Sequence, residues 1–133
     1  MPDDTNPRLL IQNMEPELKE GEYVFASFSK EKIINKKLNP ICTFMEEEGI
    51  SIIINRDEAD LNTIQYESVF KMITLNIHSS LNAVGFIAKI TSELANHNIG
   101  VNPVSAYYHD HLFVPSAKAE EAFAILCNLK QKE

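Results

Sequence analysis

His109-Asp110-His111 is the densest group of reactive side chains in this chain. Two histidines two apart on a strand point to one side, and imidazole with carboxylate suits zinc or nickel. A pair is too few for a metal site, and only His78 and His97 remain to join it. A second group is Ser79-Ser80-Leu81-Asn82-Ala83-Val84-Gly85, small and polar. Ser79 or Ser80 beside His78 is a neighbour pair and not a triad, and no glycine-flanked nucleophile elbow occurs, so catalysis is not expected. Binding is the better use of these residues. Gly85 lets a ligand approach the main chain, while Ser79, Ser80 and Asn82 offer hydroxyl and amide partners. The unpaired N–H groups at the start of the following helix can receive a carboxylate. Asp110 could pair with an ammonium or guanidinium if the sheet brings it near. Charge-assisted hydrogen bonds contribute about 1.5–3 kcal/mol each. Set against association costs of about 4 kcal/mol or more, a few of them give roughly micromolar to millimolar affinity, a range suited to reversible binding of a small molecule.

Each feature also has a plainer use. Gly85 could serve close helix–strand packing, the serines and Asn82 could be helix caps, and Asp110 could be an ordinary turn residue. Tyr107 and Tyr108 are expected to pack, one on each face of a strand.

The elements that position these residues follow from periodicity. Phe70 to His78 alternates, with Ile73, Leu75 and Ile77 on one face, and predicts a half-buried strand. Val84, Ile87, Ala88, Thr91, Leu94 and Ala95 recur at the spacing of one helical face. Asn98 and Gly100 can end that helix in the left-handed region. Val101 to Tyr107 and His111 to Val114 read as a hairpin turning at Tyr108-His109-Asp110, and a last helix runs from about Ala117 to Lys130. Earlier in the chain, Asn6-Pro7 starts a short helix with Leu9, Leu10, Met14 and Leu18 on its apolar side. Glu22 to Phe28 reads as a central strand, because both its faces are apolar. A lysine-rich loop spans residues 29–40. Ile41 to Met45 and Ile50 to Ile54 read as strands around an acidic turn, followed by a helix from Arg56 to Ile64 capped by Asn55.

The totals exclude several classes. With 133 residues, 44% of them hydrophobic, the chain can bury a core in one compact domain or two small ones. A formal charge of -7 lacks the basic stripe that nucleic acid demands. No apolar run reaches membrane-spanning length, and the acidic N-terminus is unlike a signal peptide. Cys42 and Cys127 are expected as free, buried thiols in a reducing cytoplasm.

A weak internal echo, with helix, glycine, strand, hairpin and helix in each half, suggests two copies of one unit. The central stretch resembles an ACT domain, a βαββαβ unit whose first turn is rich in Asp-x-Pro-Gly. Asn82-Ala83-Val84-Gly85 falls at that turn and Asn98-Ile99-Gly100-Val101 at the next strand. Gly85 matches, whereas Asn82 stands for the acid and Val84 for the proline, which leaves the ligand class open. Val104 to Pro115 is similar to the hairpin of CASTOR-type arginine sensors. It also resembles that of small bacterial proteins made of two ACT-like units, a likeness extending over nearly the whole chain.

The resemblance implies an α+β fold: two tandem ferredoxin-like units, 1–66 and 67–133, with antiparallel sheets covered by helices. It implies a regulatory protein, not an enzyme, that binds a small molecule, expected to be an amino acid, where ACT-like units meet. The site residues would be Ser79, Ser80, Asn82, Ala83, Val84, Gly85, Phe86 and Asp110, with no cofactor and no metal. Because the second half lacks an obvious final strand and the first half a first one, the strand near Phe70 to Ile77 could serve both units, or a strand could be exchanged. Exposed sheet edges would favour a homodimer or a higher homo-oligomer. The alternatives are a structural or protein-interaction module without ligand, and a metal-binding protein using His109 and His111.

Overall fold

The computed structural model describes residues 5–31 and 37–132; part of the lysine-rich loop expected at 29–40 lies outside them. The chain forms two compact units that are not colinear with its halves. One is continuous, Gly21–Phe70, and the other is discontinuous, Met1–Glu20 with Lys71–Glu133. Both are α+β, antiparallel strands carrying helices.

In the continuous unit, β2 (Tyr23–Phe28) and β3 (Cys42–Met45) flank β4 (Ile50–Asn55), and the short helix α2 (Arg56–Leu61) follows. The register pairs Val24 with Ile54, Ala26 with Ile52 and Phe28 with Ile50. Period-two alternation therefore puts Val24, Ile50, Ile52 and Ile54 in one core with Ala59 and Ile64. Asn55 caps α2 by accepting from the Asp57 N–H at 2.9 Å, as its place before Asp57-Glu58 suggests. Gly49 is required by close approach, since a Cβ there would run into the Phe28 carbonyl.

The discontinuous unit begins with α1 (Pro7–Asn13), capped by Asn6, whose side chain accepts from the Arg8 and Leu9 N–H groups. Its buried residues are Leu10 and Ile11, with Met14 just beyond; Leu9 points outward. Leu18 is not on this helix. It closes β1 (Pro16–Leu18), a strand absent from the sequence reading, which pairs with β5 (Phe70–Leu75) in the register Leu18 to Ile73 and Pro16 to Leu75. The strand order here is β1-β5-β7-β6, with β6 at Asn102–Ser105 and β7 at Asp110–Pro115. The N-terminal segment thus supplies a strand that the C-terminal half lacks. Helices α3 (Phe86–Asn96) and α4 (Ala119–Lys132) pack with α1, and Ile73, Leu75, Ile90, Leu94, Leu112, Val114, Ala122 and Leu126 form the core.

Helix α3 is rotated from its expected face. Phe86, Ile90 and Leu94, spaced by four, are the buried residues, and Val84 lies before the helix at 83% exposure. The helix ends through Asn98 in the left-handed region, while Gly100 has an ordinary φ.

Candidate functional site

The turn between β5 and α3 is built by its own main chain and one hydroxyl. The Ala83 N–H donates to the Ser80 carbonyl at 3.0 Å, and the Asn82 N–H to Ser80 Oγ at 3.0 Å. Ser80 is thereby committed to the turn and does not cap the helix. Gly85 occupies the N-cap position of α3 with φ 96°, and no side chain caps the helix there. A Cβ on Gly85 would meet only Pro7 Cγ at 3.6 Å, so left-handed backbone, not close packing, is what calls for glycine. The first N–H groups of an α-helix have no carbonyl within the helix.

Opposite this turn lies the start of β7. Asp110 is not in the hairpin turn, which closes earlier through the Ala106 N–H and the His109 carbonyl at 3.0 Å. It is the first residue of β7, pairs in register with Ser105, and is only 6% exposed. Alternation along β7 puts Asp110 on the same face as Leu112 and Val114. Its carboxylate accepts a hydrogen bond from Ser79 Oγ at 3.1 Å.

Together these residues enclose a cleft of about 130 Å³, with Ser79, Ser80 and Ala83 on the turn, Gly85 and Phe86 at the helix start, and Ser105 and Asp110 on the hairpin. Asn82 and Val84 are not among its walls; both are exposed on the turn. Ser105 was not singled out from the sequence; only the strand register brings it opposite Asp110. One wall carries a buried carboxylate, and the other carries the positive end of a helix dipole. The volume is far below the ~300–1,000 Å³ of drug-sized pockets, so the cleft suits a small polar group.

The histidine pair does not keep strand geometry, because His109 sits in the turn and His111 in β7. Their ring centroids are 6.2 Å apart at 78°, and His111 Nδ1 lies 2.9 Å from Thr74 Oγ1. Among the described residues, no three His, Cys, Asp or Glu side chains gather as a metal site would need. Burial pushes the His111 pKa down from its ordinary value, and neighbouring His109 adds to the effect. Tyr107 and Tyr108 do not pack into the strand. They stand out from the turn, Tyr107 at 79% exposure, edge to face with each other at 5.0 Å. Cys42 and Cys127 are free thiols and only partly buried. Among the described residues, no helix is long and apolar enough to cross a membrane.

Comparison with known proteins places the fold. Among solved structures, a protein of unknown function from Vibrio cholerae, described as a possible transport protein, is 37% identical, covers 93% of this chain and 95% of its own, and superposes with a TM-score of 0.82. The regulatory subunit of aspartate kinase from Thermus thermophilus is 9% identical, with coverage of 88% and 96% and a TM-score of 0.63. Aspartate kinase from Clostridium acetobutylicum is 11% identical with a TM-score of 0.67; the match covers 89% of this chain and 34% of the kinase. At such identities the kinase likenesses speak for the fold alone. No curated protein matches the chain. Two successive ACT-domain matches, over residues 5–71 and 67–128, span nearly the whole sequence. ACT domains are regulatory modules that typically bind amino acids, and this chain belongs to the ACT-domain family.

Proposed function

We propose that this protein is a regulatory amino-acid sensor, acting by binding and not by catalysis, with its ligand in the cleft beside Asp110. The observation that carries this reading is chemical polarity within one small space. The uncapped start of α3 at Gly85 faces a cleft that also holds the buried Asp110 carboxylate. A ligand carboxylate suits the helix start, and a ligand ammonium suits Asp110. Ser79, Ser80, Ala83, Gly85, Phe86 and Ser105 supply the walls, with Asn82 shaping the turn and Val84 at its rim. Leu81, 67% exposed, and Val84 leave apolar surface beside the cleft. A second copy covering it in a homodimer or larger assembly would complete the site and transmit occupancy as a shift between arrangements. We read the two sequence repeats as residues 1–66 and 67–133, and the protein as cytoplasmic.

A thermal-shift screen of the purified protein against the proteinogenic amino acids and divalent metals tests this. Stabilisation by an amino acid, abolished by Gly85→Val, supports the sensor. Stabilisation by zinc or nickel alone, lost in His109→Ala, supports a metal protein. No response at all supports an interaction module, for which the exposed Phe44 (69%) on the edge strand β3 is the specific observation.

A further inference from the structure

We propose that occupancy of the Ser79–Asp110 cleft is coupled to protonation of the imidazole cluster His78, His109 and His111, so that acidification weakens a ligand held by its ammonium group. The inference rests on the reading of the cleft as an amino-acid site and concerns its regulation.

Three of the four histidines in the chain converge beside one buried acid. His78 immediately precedes Ser79, the hydroxyl donor to Asp110, and His109 and His111 flank Asp110 itself. The His78 and His109 rings are 5.3 Å apart between centroids, and His109 and His111 are 6.2 Å apart. None of the three lines the cleft. His111 alternates to the other face of β7 from Asp110, toward Thr74, so its charge acts on the acid through the thickness of one strand.

Among the described residues, the other groups facing the cluster are few. Lys19, just past the end of β1, adds positive charge, tempered by Glu17 at 3.0 Å. Tyr108 from the turn lies 5.9 Å from His78 and 6.5 Å from His109 between ring centroids. Asp110 is the acid next to them. Burial, then His109, and more weakly Lys19 disfavour the charged form of His111, whereas Asp110 favours it. That last interaction is the link. An acid that favours an imidazolium is, by reciprocity, less available to a ligand cation once the imidazolium forms.

Isothermal titration of the full chain with each of the twenty proteinogenic amino acids, at about pH 7.5 and about pH 5.5, tests the coupling, with circular dichroism establishing that the protein is folded at both. The expected result is an amino acid that binds at the higher pH and whose Kd rises about tenfold or more at the lower. His78→Gln/His109→Gln/His111→Gln should keep the affinity at the higher pH and reduce the change to about twofold or less. The single variant His109→Gln, altered in the turn, should reduce it in part and serves where the triple variant does not fold. A Kd equal at both pH values overturns the coupling and leaves the amino-acid site standing. A pH effect undiminished in His109→Gln also overturns it. Binding of no amino acid at either pH overturns the site, and the coupling with it.

Discussion

Ser79 and Asp110, 31 residues apart in sequence, meet as hydroxyl donor and buried carboxylate at 3.1 Å. The bond ties the β5–α3 turn to the first residue of β7 and defines the acidic wall of the cleft. Asp110→Asn keeps the shape and removes the charge. It should weaken binding of the amino acid found in the screen by about tenfold or more, the scale of a charged hydrogen bond worth roughly 1.5–3 kcal/mol. Isothermal titration of the two proteins reads the ratio, and equal affinities would remove Asp110 from the site.

Gly85 has a left-handed φ of 96° with space around its Cα. Gly85→Ala should therefore cost about 1–2 kcal/mol of stability through backbone strain and not through collision. Gly85→Asn, a residue that tolerates this region better, should cost less than alanine despite its greater size. Urea denaturation midpoints decide the order; a loss that grew with side-chain volume would point to packing instead.

Gly49 poses the opposite case, because a Cβ there meets the backbone carbonyl of Phe28. Backbone on a paired strand cannot move aside cheaply. Gly49→Ala should destabilise the continuous unit by about 2 kcal/mol or more, a larger loss than Gly85→Ala produces. Hydrogen exchange localises it: the β2–β4 amides should lose protection ahead of those in α3 and α4.

The depressed pKa of His111 has a definite sign in stability. Above about pH 6.5 the imidazole is neutral in both folded and unfolded chains and contributes nothing. As pH falls below that value the unfolded chain takes up a proton that the folded site resists, so stability drops until the lower folded pKa is reached. Thermal midpoints between about pH 7.5 and 5 should fall more steeply for the wild-type protein than for His111→Asn. Parallel curves would mean that burial of this ring carries no such effect.

Much of this was legible in the sequence, and the misses share a cause. The strands around Ile73 and Ile52 and the helix after Gly85 follow from periodicity, which is local, and the ACT likeness follows from the turn at Gly85 and the hairpin motif. The face of α3 departs from expectation because the serines and Asn82 offer caps that the helix does not use. The left-handed Gly85 begins the helix instead, and Phe86, Ile90 and Leu94 become its inner row. Strand β1 has three residues, Pro16, Glu17 and Leu18, too few to show alternation; only pairing with β5 makes it a strand. Ser105 is likewise invisible until the register sets it against Asp110. Contacts between distant segments leave no period to read.

The N-terminal β1 strand has a consequence for how the protein is made. Residues 16–18 emerge from the ribosome well before their partners at 73–75, and the continuous unit, from Gly21 to Phe70, is synthesised in between. Its two ends adjoin, since Tyr23 pairs with Phe70, so it can close as a self-contained insert while α1 and β1 wait unpaired. Translation order therefore makes the inserted unit the first to mature, and the half bearing the cleft the last.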